Sequence, residues 1–183
     1  MDCLHEKLYD GGIDRLRAPE TVARLEDERM VALSLEAADP KSVLDVGVGS
    51  GLFAEAFFKH GLEIAGVDVN PEMIVAARQY VPKGDFRKAT AEALPYPDAS
   101  FDLVFFGLLL HESDEPLKAL QEARRVSRQR ICILEWPYQV EEFGPPLAHR
   151  LNPTKIGEMA RQIGFAHPES LSLAHLVLYR LTI

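Results

Sequence analysis

VLDVGVGSGLFAEAF, residues 43–57, runs from an apolar strand through an acid and three alternate glycines into the start of a helix. Glycine permits positive φ and lets another group lie against bare backbone. Gly47, Gly49 and Gly51 therefore mark a tight joint, a close approach, or both. A tight joint alone leaves Asp45 unexplained, because a carboxylate inside an apolar strand end is costly without a partner.

Outward from this turn, strands and helices alternate with short connections. KSVLDVG (41–47) reads as the first strand, LEIAGVDV (62–69) as the second and GDFRKA (84–89) as a shorter third. SFDLVFFGLLL contains the fourth strand, RICILEW (130–136) is the fifth, and SLSLAHLVLYRLTI supplies one terminal strand or two paired ones. Between them, Leu52, Phe53, Ala56 and Phe57 follow helical spacing, and His60-Gly61 closes that helix with glycine just past its end. Asn70-Pro71 and Asn152-Pro153 each place a capping side chain before a proline at the first helical position. Glu115-Pro116 opens a further helix, whose Leu117, Leu120 and Ala123 face inward. Residues 18–40 fit one or two helices ahead of the first strand. Helices alternating with buried apolar strands predict a doubly wound, mostly parallel α/β sheet with helices on both faces. The expected organisation is a single domain over residues 1–183, with a helical N-terminal extension (1–40) and an α/β core (41–183).

Composition narrows the function. The chain of 183 residues is 47% hydrophobic and 26% charged, which is globular, and its net charge of −8 disfavours phosphate backbones. No basic cluster appears, so nucleic acid is not an expected partner. The longest apolar run, LVFFGLLL, is too short to cross a bilayer, and MDCLHEKLYDGG lacks the pattern of a signal peptide, so a cytoplasmic protein is expected. Cys3 and Cys132 make no disulfide framework, and Cys132 reads as a small core residue. The histidines lack ligand spacing, so no metal is expected.

In an open α/β sheet, ligands bind beyond the carboxyl ends of strands where the strand order reverses, and the first strand-to-helix turn is the usual place. Asp68 ends the second strand, seventeen residues after Gly51, where an acid can accept both hydroxyls of a ribose. That reading directs its carboxylate at a ligand; the plainer alternative makes it a cap for the helix beginning near Asn70. Val69 and Met73 follow and could sandwich an adenine. A dinucleotide site would read G-x-G-x-x-G, whereas this turn reads G-x-G-x-G, with Leu52 where the third glycine would stand.

LDVGVGSG resembles the D/E-x-G-x-G-x-G turn of the class I S-adenosylmethionine-dependent methyltransferases, GVDVNPEMI their second motif, and ATAEALPYPDASFDLVFFGLLLHE the third and fourth segments of the small-molecule, ubiquinone-methyltransferase-like branch. The resemblance covers about residues 41–165 and implies a Rossmann-like, seven-stranded fold with S-adenosylmethionine as cofactor. It implies that Asp45, Val46, Gly47, Val48, Gly49 and Gly51 hold the methionine end and Asp68 the ribose. Thr90, Ala91 and Glu92 would line the adenine edge, and Gly107 and Leu108 would flank the sulfonium. Thr90 is a departure, standing where the family commonly has an acid that accepts from the adenine amino group.

Methyl transfer needs an aligned nucleophile and little else, with a base required only when the acceptor arrives protonated. His111, four residues beyond Gly107, is the candidate base, or else an exposed loop histidine beside Glu112. His149 and Arg150, in GPPLAHRLNP, are candidate contacts to the acceptor, or else plain loop residues before the Asn152 cap. Trp136-Pro137-Tyr138 invites comparison with the N/D-P-P-Y element of enzymes acting on amide or base nitrogens, but it follows the fifth strand rather than the fourth, and the comparison fails. The expected activity is methyl transfer to a small molecule. Two rivals remain at this point: a methyltransferase-like binding protein without turnover, and a nicotinamide-dependent reductase.

Overall fold

A computed structural model describes residues 12–166 and 168–183. Cys3, His5 and His167 lie outside them. Five parallel strands come first in the chain: β1 (Ser42–Val46), β2 (Glu63–Asp68), β3 (Asp85–Lys88), β4 (Phe101–Gly107) and β5 (Ser127–Glu135). A closing antiparallel pair, β6 (Glu169–Ser172) and β7 (Val177–Thr182), completes one sheet in the order β3-β2-β1-β4-β5-β7-β6. The order reverses between β1 and β4, so a crevice opens at their carboxyl ends.

Alternation along the strands sorts side chains into two cores. Val43, Ile64, Leu103, Phe105, Cys132 and Leu134 face one layer, made by α3 (Asp27–Leu35), α4 (Leu52–Lys59) and α5 (Pro71–Tyr80). Leu44, Val46, Val67, Val104, Phe106, Ile131 and Ile133 face the other, made by α6 (Pro116–Val126) and α7 (Pro153–Gln162). The two Asn-Pro starts form as expected, the Asn70 side chain accepting from the Glu72 amide and Asn152 from the Thr154 amide, each at 2.9 Å. Cys132 is fully buried in the core.

The helices expected over residues 18–40 form as two, a further short one precedes them, and the fifth strand starts three residues earlier than expected. The N-terminal extension holds three short helices, α1 (Ile13–Leu16), α2 (Pro19–Leu25) and α3, and the last two part at Glu26, whose φ of 47° ends one helix and begins the next. The fourth strand stops at Gly107 because Leu108 is left-handed (φ 60°), so LLL turns away from the sheet. The fifth strand begins at Ser127, straight out of α6. Buried arginines tie α3 to the sheet. Arg130 donates to the Ser34 and Glu36 carbonyls at 2.8 Å each, and Arg180 to the Leu33 carbonyl at 2.8 Å. Among the described residues, no helix is long and apolar enough to cross a membrane.

Gly51 shows how closely the layers fit. Its φ is +78°, and a Cβ there would stand 2.8 Å from Cα of Ala77 in α5. The glycine at the start of α4 is thus required by the neighbouring helix. Gly51→Ala should destabilise the unliganded protein by about 2–5 kcal/mol, from the left-handed backbone together with overpacking. Urea melts measure it, and a loss below about 1 kcal/mol would mean that α4 and α5 separate at little cost.

Candidate functional site

The turn after β1 is wired to the end of β2. The Val67 carbonyl accepts from the amides of Gly47 (2.8 Å) and Val48 (2.9 Å), and Asp68 Oδ2 accepts from the Gly49 amide at 2.9 Å. The glycines differ in what they serve. Gly51 makes room for Ala77, and a Cβ on Gly47 would stand 2.7 Å from the Leu109 side chain. A Cβ on Gly49, at φ +51°, would make ordinary contacts without a clash, the nearest with Leu16 Cδ1 of α1 at 3.8 Å. The middle of the turn is therefore bare backbone, with α1 close by. Arg17 holds that helix end in place, donating to the Ser50 carbonyl at 2.9 Å and pairing with Glu55 at 2.7 Å.

Two carboxylates stand at this turn. Asp45 is fully buried, and neither of its side-chain oxygens has a hydrogen-bond partner. Burial, with the charge of Asp68 adding to it, pushes its pKa up to about 8; the Ala54 amide opposes this weakly without reaching hydrogen-bond geometry. Asp68 is also held above its ordinary value by burial, while the amides of Asn70, Gly49 and Val69 pull it down. Its Oδ1 accepts from Asn70 at 2.8 Å. Besides any ligand role, this carboxylate braces two backbone segments, one of them at Asn70 where the capping alternative placed it.

The remaining residues implied by the resemblance lie on the same edge of the sheet. Val69 is 43% exposed, and Met73 on α5 is buried. Thr90 is exposed while Ala91 and Glu92 are half-buried, and Glu92 accepts from the Ser113 hydroxyl at 2.5 Å. At Gly107, a Cβ would meet the Phe53 ring at 2.5 Å, so core packing accounts for that glycine. Leu108 donates to the Leu134 carbonyl at 3.0 Å before the chain turns.

That turn delivers His111 to a partner the sequence reading missed. Glu135, the last residue of β5, is 1% exposed. Its Oε1 accepts from the His111 amide at 3.0 Å and its Oε2 lies 2.8 Å from His111 Nδ1. The exposed-loop alternative for His111 is thereby overturned, because the residue is buried and paired. The available signal was an acid ending an apolar strand, as at Asp45 and Asp68. His149 and Arg150 part company. His149 is exposed, whereas Arg150 is buried and donates to the carbonyls of Pro145 (2.9 Å), Pro137 (3.0 Å) and Phe143 (2.5 Å). Arg150 thus organises the loop after β5, which Gly144 (φ +83°) folds back against Trp136. Among the described residues, no three His, Cys, Asp or Glu side chains converge in a way that could hold a metal ion.

A family model described as a methyltransferase domain, of type 11, matches residues 44–130. The uncharacterised methyltransferase YcgJ of Bacillus subtilis is 32% identical over 183 residues, covering 96% of this chain and 72% of that protein. The chain belongs to the class I S-adenosylmethionine-dependent methyltransferases. A demethylmenaquinone methyltransferase of Renibacterium salmoninarum is 32% identical over 117 residues, covering 64% of this chain and 49% of that one. Beyond YcgJ, then, this methyltransferase spans about half the length of the curated relatives that follow. A solved S-adenosylmethionine-dependent methyltransferase from Aquifex aeolicus shares the fold with a TM-score of 0.82 at 23% identity, over 93% of this chain and 96% of that one.

The residues fit the family's cofactor, S-adenosylmethionine. Bare backbone at Gly49 offers close approach, the orphaned Asp45 carboxyl can ionise beside a cationic ligand, and Asp68 offers acceptor lone pairs beyond the two amides it accepts from. Without ligand, the orphaned carboxylate costs stability. An acid whose pKa is raised on folding keeps its proton in the native state after the unfolded chain has lost it, so stability falls as pH rises, here between about 4 and about 8. The slope approaches about 1.4 kcal/mol per pH unit. Asp45→Asn should therefore melt higher than wild type at pH 8, with the gap closing toward pH 4. Parallel melting curves across that window would show that Asp45 titrates normally.

Proposed function

We propose that this methyltransferase transfers a methyl group from S-adenosylmethionine to a small organic acceptor. The observation that carries the cofactor half is the pairing of a bare, left-handed Gly49 with the orphaned Asp45 carboxylate, beside an acid at the end of β2. When bound, S-adenosylmethionine supplies a sulfonium-activated methyl group. In this reading Asp45 and the turn from Val46 to Gly51 hold the methionine end, and Asp68 takes the ribose hydroxyls. Val69 and Met73 sandwich the adenine, Thr90 to Glu92 line its edge, and Leu108 stands by the sulfonium with Gly107.

The acceptor half rests on the walls around the ends of β4 and β5. Arg24 of α2 lies over the Phe143 ring at 3.7 Å, so the N-terminal helices and the loop braced by Arg150 meet. In this reading the acceptor lies between them and the sheet edge, and the demethylmenaquinone methyltransferase among the relatives is named for a small-molecule acceptor. His149 stays available on the exposed side of the loop. A net charge of −8 argues against a nucleic-acid acceptor and fits a cytoplasmic protein.

Ligand choice tests this reading. S-adenosylhomocysteine should raise the melting temperature by mass action on the native state, and NADH and ATP should not. Asp68→Ala should weaken S-adenosylhomocysteine binding by roughly 30-fold to several thousandfold, from the loss of hydrogen bonds to a charged acceptor. It should also lower the unliganded melting point, because the Gly49 and Asn70 amides lose their acceptor. Calorimetric titration beside melts checks both; a response to NADH alone, or full affinity in the variant, would overturn the assignment.

A further inference from the structure

The His111–Glu135 pair is built more carefully than an adventitious contact. Gly107 and Leu134 are partners in the β4–β5 register, which sets the ends of the two strands level. The left-handed Leu108 then turns the chain back so that both oxygens of Glu135 meet His111, one at the backbone and one at the ring. A left-handed conformation is unfavourable for a leucine, so the turn is held by its surroundings. With Nδ1–H donated to a buried carboxylate, the tautomer is fixed and Nε2 is left with a lone pair. Among the described residues, the groups around the ring are few. They are Glu135 on β5, Glu112 (its Oε1 3.9 Å from Nε2), Arg150 at the end of the loop, and Tyr179 of β7 toward Glu135.

We propose that Glu135 is a positioning residue that makes His111 the proton acceptor of the reaction, and that the methyl acceptor bears a weakly acidic hydroxyl, phenolic or enolic. The inference rests on the methyl-transfer reading above. A free amine already presents a lone pair, and a thiol of pKa near 8.5 ionises readily on its own. A phenol of pKa near 10 needs its proton removed at neutral pH, where an imidazole suits the task. In the step, the acceptor's O–H bond breaks as its oxygen–methyl bond forms. The proton passes to His111 Nε2, and the electron pair of the cleaved carbon–sulfur bond stays on sulfur as the neutral thioether. Burial opposes a charge on His111, but the hydrogen bond and charge of Glu135, helped by Glu112 and opposed by Arg150, hold its pKa above the ordinary value. The imidazolium formed on proton transfer is thereby stabilised.

The test joins two readouts on the full chain. In NMR titrations of the unliganded protein, His111 should ionise above pH 6.5 with Nδ1 protonated in its neutral form; Glu135→Gln should move that ionisation down and mix the tautomers. With S-adenosylmethionine supplied, catechol, 2-mercaptoethanol and benzylamine serve as probe acceptors, and S-adenosylhomocysteine formation is followed. Catechol should be the methylated probe, with a rate rising with pH through the His111 ionisation. His111→Gln should lower kcat on the order of 10²- to 10⁴-fold. Glu135→Gln should lower kcat by a smaller factor and shift the profile to lower pH, leaving KM for S-adenosylmethionine unchanged. Turnover of the amine or thiol alone, no turnover of catechol, or a pH profile that stays in place in Glu135→Gln would each overturn the proposal. Calorimetry with S-adenosylhomocysteine keeps the two readings apart: failure to bind it overturns the cofactor assignment, and binding without these effects overturns only the dyad.

Discussion

The double acceptance by the Val67 carbonyl, together with the Asp68–Gly49 bond, is the constraint on which the site depends. Parallel pairing of β1 with β2 ends at Val46 and Val67. Beyond that point the first strand has no ladder to follow, yet its next two amides still need an acceptor, because an unpaired buried N–H costs about 1–3 kcal/mol. One carbonyl serves both amides only if the chain bends sharply, and left-handed Gly47 and Gly49 are how this chain bends. The glycines follow from the hydrogen bonds, and the crevice follows from the glycines.

Much of this was legible in the sequence because it is local. The Asn-Pro helix starts, the glycine stop at Gly61, and the alternation of strands with helices each follow from a few neighbouring residues. The β6–β7 pair at the chain's end belongs with them. Asp45, Asp68 and the glycine turn could be singled out because an acid in an apolar strand end conflicts with its surroundings. The left-handed turn at Leu108 and the start of β5 were not legible. LVFFGLLL carries no breaker where the strand stops, since Gly107 is inside it and the turn is made by a leucine. The strand start at Ser127 likewise comes without any Gly or Pro to separate it from α6.

The role of Arg150 was beyond sequence reasoning for a different cause. A basic residue in a Pro- and Gly-rich loop reads as a ligand contact, but its three carbonyl partners lie 5, 7 and 13 residues upstream. Loops that lack ladder bonds need some donor for their buried carbonyls, and the forked guanidinium supplies several from one side chain. The same logic explains Arg130, which satisfies the carbonyls at the end of α3 from the middle of the sheet. Arginine in this fold closes backbone accounts that helices and strands leave open.

Three acids stand at or next to the carboxyl ends of β1, β2 and β5, and their different surroundings set them to different work. Asp45 has no hydrogen-bond partner among the described residues, Asp68 has backbone amides, and Glu135 has an amide and an imidazole. Desolvation raises Asp45 furthest, and the charge of Asp68 adds to the rise. At neutral pH the unliganded protein therefore keeps Asp45 protonated, which avoids two carboxylate charges at one low-dielectric edge. A cation placed beside such a group favours its ionised form, whereas a neutral or anionic group does not. The other two acids already face donors of the protein itself, and Asp45 alone of the three keeps its acceptor oxygens unused.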